Sequence, residues 1–160
     1  MKELNLKPVI MECQMDELPS DEQYLVQKAI ESTNNSYARY SHFCVGAAVQ
    51  LDNGEVLPGC NQENAAFPAG ICAERAAIFA AGAQYPEEPV TMLAIACFTG
   101  GHFTKEPGSP CGACRQVMLE TEHRYGGKME VLLYGDEATY VFESAADLLP
   151  LTFVSENLKG

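Results

Sequence analysis

Apolar positions recur at helical spacing after Ser20, where Val26, Ala29 and Ile30 share a face, and this predicts a helix that ends at Asn34 and Asn35. Ser20 and Gln23 have capping-box spacing at its start. Residues 45–51 read as a strand, Asp52-Asn53-Gly54 as a hairpin turn, and residues 56–59 as the start of the returning strand. A polar-then-small stretch at 61–70 predicts a loop. The alanine-rich run 72–83 predicts a helix closed by Gly82 and Pro86. Residues 92–98 read as a buried strand, 99–110 as a loop, and 111–122 as a helix followed by Gly126-Gly127. Strands at 129–134 and 139–142, joined at Gly135-Asp136, precede a short helix at 144–149 stopped by Pro150. Strand–helix–strand alternation in the middle of this order predicts a mixed sheet with helices packed on it. Residues 1–19 read as an extended lead-in broken at Pro8 and Pro19.

Length and charge narrow the picture. A chain of 160 residues with 47% hydrophobic residues predicts one domain over 1–160, large enough for a real core. No apolar run approaches a membrane span, and the first ten residues lack a basic-then-apolar signal pattern, so a cytoplasmic location is expected. The net charge of -12 argues against nucleic-acid partners, which need clustered Lys and Arg. Seven cysteines, an odd number in a chain without a secretion signal, argue against a disulfide scaffold. Cys13, Cys44, Cys60 and Cys97 stand among apolar or small residues and are expected to be buried small hydrophobes.

The remaining cysteines carry the chemistry. Cys111 and Cys114, three apart, fall on one face of the expected helix. Cys72 and Glu74, two apart, reach a common point only if a helix end, not its flank, faces it. Helix N-termini carry roughly half a positive charge, which favours thiolates there. Cys72, Cys111 and Cys114 are therefore candidate zinc ligands with a coordination place left for water, and Glu74 is the candidate proton carrier. Three thiolates exceed the charge of a zinc ion by one. Arg75, three residues after Cys72, is placed to offset that excess, with Arg115 as a second candidate. Each piece alone has a plainer reading. A Cys-x-x-Cys also serves structural zinc or redox chemistry, and Glu74 is also a common helix-start acid. Asn61 and Glu63 alternate, so on an extended strand they face one side and suit a pair of sugar hydroxyls; a polar loop edge is the other reading. Phe43 alone reads as a core residue.

Taken together, these motifs resemble the cytidine deaminase family. Cys72-Ala73-Glu74-Arg75 and Pro110-Cys111-Gly112-Ala113-Cys114-Arg115-Gln116 match its metal motifs, a first ligand two residues before a glutamate and then Pro-Cys-x-x-Cys. Tyr40-Ser41-His42-Phe43-Cys44-Val45-Gly46-Ala47-Ala48, Gly59-Cys60-Asn61-Gln62-Glu63-Asn64-Ala65-Ala66-Phe67 and Leu148-Leu149-Pro150-Leu151-Thr152-Phe153 resemble its other conserved segments, so the likeness runs from about 20 to 153. The resemblance implies a three-layer α/β/α sandwich around a mixed five-stranded sheet. It implies hydrolytic deamination of cytidine and 2'-deoxycytidine in pyrimidine salvage, with one zinc per subunit. It further implies that Asn61 and Glu63 hold the ribose, Phe43 packs on the pyrimidine and the Ala73 N–H holds the base. A homotetramer is implied too, with Ala65, Phe67 and Phe153 at pockets shared between subunits.

The match is not complete. Gln62 stands where an aliphatic residue is common and Phe67 where tyrosine is common, which removes a phenol. Residues 1–19 and 100–109 match poorly and are given no role, and His42, His102 and His123 are expected at the surface or in packing. Two rival functions remain at this point: a deaminase of another cytosine-bearing molecule such as an aminoglycosyl-nucleoside antibiotic, and a non-catalytic zinc-binding module.

Overall fold

The computed structural model describes residues 1–6 and 8–158; of the expected 1–160 unit, residues 7, 159 and 160 lie outside the described residues. The first helix, α1, covers Ser20–Ser32 and runs into a 3-10 turn at Thr33–Asn35, close to the periodicity. The capping box does not form. Ser20 is already inside the helix, Pro19 holds the N-cap position, and the Gln23 side-chain amide donates to the Leu18 carbonyl at 2.8 Å. The second helix, α2, covers Ala73–Gln84, so Gly82 lies within it and the chain leaves helical geometry at Tyr85, before Pro86. The third, α3, covers Gly112–Tyr125 and stops at Gly126, whose φ of 69° is the left-handed conformation that ends many helices.

Among the described residues the sheet has seven strands, not five. The long ones are where alternation places them: β2 at Cys44–Leu51, β3 at Val56–Cys60, β4 at Val90–Thr99, β6 at Glu130–Tyr134 and β7 at Thr139–Phe142. Two short strands were invisible to it. The lead-in supplies β1, Met11–Cys13, which pairs antiparallel with β7 through Met11↔Val141 and Cys13↔Thr139. The unmatched segment after β4 supplies β5, His102–Phe103, which folds back on β4 through Phe98↔Phe103. Strands of two or three residues are too short to show a period of two. The order is β1-β7-β6-β4-β2-β3, with β5 beside β4. Among the described strands only β4 and β6 run parallel, joined through α3, so the sheet is mixed. The expected final helix is a 3-10 turn, Ala145–Leu148, capped by the Ser144 hydroxyl.

Side-chain alternation builds the three layers. Ala47, Val49, Leu93, Ile95, Val131 and Leu133 face α2 and α3, whose Ala77, Ile78 and Met118 complete that core. Ala48, Ala94, Ala96 and Leu132 face the other way, against Leu25, Val26 and Ala29 of α1. Small residues on the α1 side bring that helix close. A Cβ on Gly46 would run into the Ala29 carbonyl and lie 2.7 Å from the Thr33 nitrogen. At the other end of α3, the Glu122 carboxylate accepts from Met129 N at 2.7 Å, Ala145 N at 2.9 Å and the Ser144 hydroxyl at 2.9 Å. This fixes the helix to the start of β6 and to the turn after β7. Among the described residues no helix is long and apolar enough to cross a membrane.

Two expectations follow from this packing. Gly46→Ala should cost about 3 kcal/mol in denaturant unfolding, because α1 must lift from the sheet, while Gly127→Ala, which meets no atom within 4 Å, should stay near wild type. Burial, then Glu130 and Asp21, push the Glu22 carboxyl up to about 7. Stability from this group is complete below the ordinary carboxylate value and is lost as pH rises through about 7, because the folded chain holds the proton that the unfolded chain has released. Glu22→Gln should therefore raise the melting temperature at pH 8 and change it far less at pH 4. An equal shift at both pH values would contradict this.

Candidate active site

Two helices begin at one end of the sheet, and a cysteine stands at the N-cap of each. Cys72 is the N-cap of α2 and Cys111 the N-cap of α3, both in extended backbone conformation, and Cys114 follows in the first turn of α3. The Cys72 and Cys111 sulfurs are 3.9 Å apart and those of Cys111 and Cys114 3.5 Å. The three ligand atoms all lie within 4.8 Å of one another, the one such group of metal-binding side chains among the described residues. Cys72 and Glu74 do share a site, and the reason is the expected one: the end of α2 points at it. Gly59 makes the approach possible, since a Cβ there would lie 2.5 Å from the Ala73 carbonyl and 2.6 Å from the Ala77 nitrogen.

The thiols differ in environment. Cys114 is fully buried, and burial, then the charge of Glu74, push its thiol up. For Cys111 burial is the largest single influence and acts upward, yet hydrogen bonds from the Cys114 and Ala113 backbone and the neighbouring thiols outweigh it, and the group is held below its ordinary value. Arg75 Nη2 donates to Cys72 Sγ at 3.6 Å, and Arg75 Nε is buried with no partner. A guanidinium turned toward sulfur in this way suits a centre where excess negative charge collects. Arg115 does not join it. Its Nε donates to the Pro110 carbonyl and its Nη1 to the Leu148 carbonyl, both at 2.8 Å, so it braces the turn into α3. Three thiols at two helix starts, with an arginine against one of them, are a donor set that fits a soft divalent ion such as zinc and leaves a coordination place open.

Glu74, in the first turn of α2, is 4% exposed. Burial pushes its carboxyl up, partly opposed by a backbone N–H, the Cys114 thiol and Arg75. It lines a cavity of about 790 Å3 together with Cys72, Cys111, Phe43, Asn61 and Glu63. Ala73 is buried at the first helical position, where its N–H has no partner within the helix.

Of the remaining expected residues, Phe43, Asn61, Glu63 and Phe67 line the cavity, and Ala65 and Phe153 do not. Asn61 is bound to the backbone at both ends of its amide: Oδ1 accepts from Val45 N at 2.8 Å and Nδ2 donates to the Phe43 carbonyl at 2.9 Å. One lone pair and one amide hydrogen stay open to a further partner. Glu63 Oε2 accepts from Tyr40 N at 2.7 Å and Ser41 N at 3.3 Å, and the Ser41 hydroxyl, then the Tyr40 amide, hold its carboxyl below the ordinary value. Phe67 lines the same cavity and meets Tyr40 edge-on with ring centroids 6.1 Å apart. Ala65 is exposed. Phe153 is exposed too, its carbonyl taking a hydrogen bond from Gln116 at 2.8 Å. Of the four cysteines expected to be buried, only Cys97 is. Cys13, Cys44 and Cys60 are half-buried, and Cys60 Sγ lies 3.2 Å from both the Asn35 carbonyl and the Gln62 amide. The three histidines are exposed, as expected.

Sequence reasoning missed Cys97, Gly108 and Ser109, which line the cavity beside Glu74 and Cys111. It also missed the turn at Tyr40 and Ser41 that holds Glu63. A polar pair inside the Tyr-Ser segment was visible, but not that its backbone would grip a carboxylate 22 residues away.

A mixed sheet between helices, with clustered thiols and a buried carboxylate at two converging helix starts, defines a metal-site α/β enzyme. Residues 19–125 match the family model described as the cytidine and deoxycytidylate deaminase zinc-binding region. A cytidine deaminase of Halalkalibacterium halodurans is 39% identical over 140 residues, 88% of this chain and 92% of that one. The crystal structure of the Burkholderia pseudomallei cytidine deaminase superposes with a TM-score of 0.68 at 40% identity, covering 81% of this chain and 97% of the other. That of the Mycobacterium tuberculosis cytidine deaminase gives 0.66 at 29% identity, covering 85% and 99%. The chain belongs to the cytidine deaminase family.

Asn61→Ala removes both side-chain bonds to the Phe43–Val45 backbone and leaves the main-chain bond from Asn61 N to the Val45 carbonyl. It should cost about 1–3 kcal/mol in urea unfolding, and a stability equal to wild type would mean that the amide latch contributes nothing.

Proposed function

We propose that the protein catalyses hydrolytic deamination of cytidine and 2'-deoxycytidine, consuming water and releasing uridine or deoxyuridine plus ammonia, as a step of pyrimidine salvage. The observation that carries this reading is the joining of three thiols within 4.8 Å to a nearly buried carboxylate on the wall of one cavity. Cys72, Cys111 and Cys114 would hold one zinc ion per chain. Bound there, zinc supplies Lewis acidity that makes water nucleophilic near neutral pH.

The chain's own residues do the rest. Glu74 takes one proton from water and gives it to ring N3, then takes the second from the new C4 hydroxyl and gives it to the departing amine, so that a single carboxyl returns to its starting state with each turnover. Its burial suits this role, because a carboxyl held above its ordinary value keeps hold of a proton that it must later return. Arg75 offsets the third thiolate. The Ala73 N–H, at the positive end of α2, holds the base, and the half-exposed ring of Phe43 packs on it. Glu63 and the open valences of Asn61 receive the ribose hydroxyls. Residues 1–160 act as one unit, in the cytoplasm, where thiols stay reduced; all seven cysteines are free. Exposed Phe67 and Phe153, with Ala65, suit pockets shared within a homotetramer.

Purified protein should convert cytidine to uridine, followed by the fall in cytidine absorbance, and should carry one zinc per chain by elemental analysis. Glu74→Gln should keep zinc and fold while kcat falls about a thousandfold. Full activity in that variant would remove Glu74 from the proton path. Cys111→Ala should lose zinc and lower the melting temperature, because metal binding and folding are coupled.

A further inference from the structure

We propose that Cys97, backed by the Gly108 backbone, is a specificity-determining residue that closes the cavity beside the reacting carbon and selects pyrimidines with a small group at C5. This rests on the deaminase reading above. Cys97 is on β4, 4% exposed, on the face that carries α2 and α3, and it lines the cavity with Glu74 and Gly108. Glu74 is near enough for its charge to act on the Cys97 thiol. Burial first, and that charge second, push the thiol up to about 12. It is therefore a neutral S–H in the cavity wall, not a nucleophile.

The wall has backing. A Cβ on Gly108 would run into the Cys97 sulfur and lie 3.3 Å from the Cys97 Cβ, so glycine lets the backbone close directly over the thiol. The strap that carries Gly108 is held along its length. Thr104 N donates to the Cys97 carbonyl at 2.9 Å, Asp136 N to the Thr104 carbonyl at 2.9 Å, and Glu137 N to the Lys105 carbonyl at 3.1 Å. Gly135 fits beneath it, where a Cβ would lie 2.8 Å from the Pro107 nitrogen. A substrate group pressing on Cys97 thus meets a sulfur that has no space behind it.

Ring chemistry identifies which group that is. The reacting carbon, C4, must come to the thiol cluster and Glu74. Its two ring neighbours are N3, which bears no substituent, and C5, whose hydrogen can be replaced. A wall beside C4 is therefore read by the C5 group. A hydrophobic pocket discriminates one carbon unit by roughly 10-fold or more.

The test is kcat/KM for cytidine, 5-fluorocytidine, 5-methylcytidine and 5-ethylcytidine, with wild type, Cys97→Ala and Cys97→Ser. Wild type should turn over the fluoro compound within a few-fold of cytidine and lose roughly tenfold at methyl and more at ethyl. Cys97→Ala should raise the 5-methylcytidine to cytidine ratio at least about fivefold, and Cys97→Ser, similar in size, should leave it near wild type. Inhibition constants of uridine and 5-methyluridine should diverge in the same way, a readout independent of turnover that also serves if the alanine variant is unstable. Equal use of cytidine and 5-methylcytidine by wild type, or an unchanged ratio in folded Cys97→Ala, overturns the inference while leaving the deaminase reading intact. Failure of wild type to deaminate cytidine overturns the reading itself.

Discussion

The site depends on one constraint: two helices must begin at the same point in space. Neither Cys72 nor Cys111–Cys114 makes a site alone. Only when the starts of α2 and α3 converge do three sulfurs come within 4.8 Å. Convergence brings unpaired backbone N–H groups toward the sulfurs, and these make thiolates less costly there. It also places Glu74 inward, since a residue in the first turn of α2 looks along the helix end into the cavity. The alternation of two residues between Cys72 and Glu74, awkward on a helix flank, becomes natural at an end.

Several features far from the thiols serve that convergence. Gly59 allows β3 to lie against the start of α2. Glu122 ties the far end of α3 to β6 and to the turn after β7, and Arg115 holds Pro110 against Leu148, so α3 is fixed at both ends. Gly46 lets α1 pack close on the opposite face. Asn61 closes the sheet end with its own amide, joining β2 to β3 at the cavity mouth. The residue expected to meet substrate is thus also a structural latch, and its remaining donor and acceptor are oriented by the bonds it already makes.

What was legible in the residues divides along physical lines. Helices and long strands announce themselves by period, and all three helices and five strands fall within a few residues of that expectation. Cys111 and Cys114 were legible because residues three apart share a helix face, and Cys72 and Glu74 because residues two apart reach one point only at a helix end. Two kinds of feature were not. Strands β1 and β5, three and two residues long, carry no usable period. Contacts that depend on tertiary folding, such as Arg115 turning to backbone carbonyls and away from the thiols, leave no local trace. Ser20 illustrates the limit of local rules. Its spacing to Gln23 suits a capping box, but the preceding Pro19 starts the helix one residue early, and the glutamine amide goes to Leu18.

The segment from 100 to 109, which no motif explains, shows how a poorly matched stretch can still belong to a site. It leaves β4 at Thr99, turns back as β5, and packs Phe103 edge-on between Phe98 and Tyr134, with centroids 5.1 and 5.7 Å apart. That aromatic row anchors its near end, and backbone bonds to the β6–β7 turn anchor the rest. Its far end is Gly108-Ser109-Pro110, which leads directly into Cys111. A segment fixed to the sheet on one side and continuous with a thiol of the cluster on the other has little freedom to be a passive loop. It sets where α3 begins, and the same backbone that delivers Cys111 also forms the wall over Cys97. The position of the thiol cluster and the shape of the cavity at its base are therefore consequences of one strap, and a change in either requires the other to move.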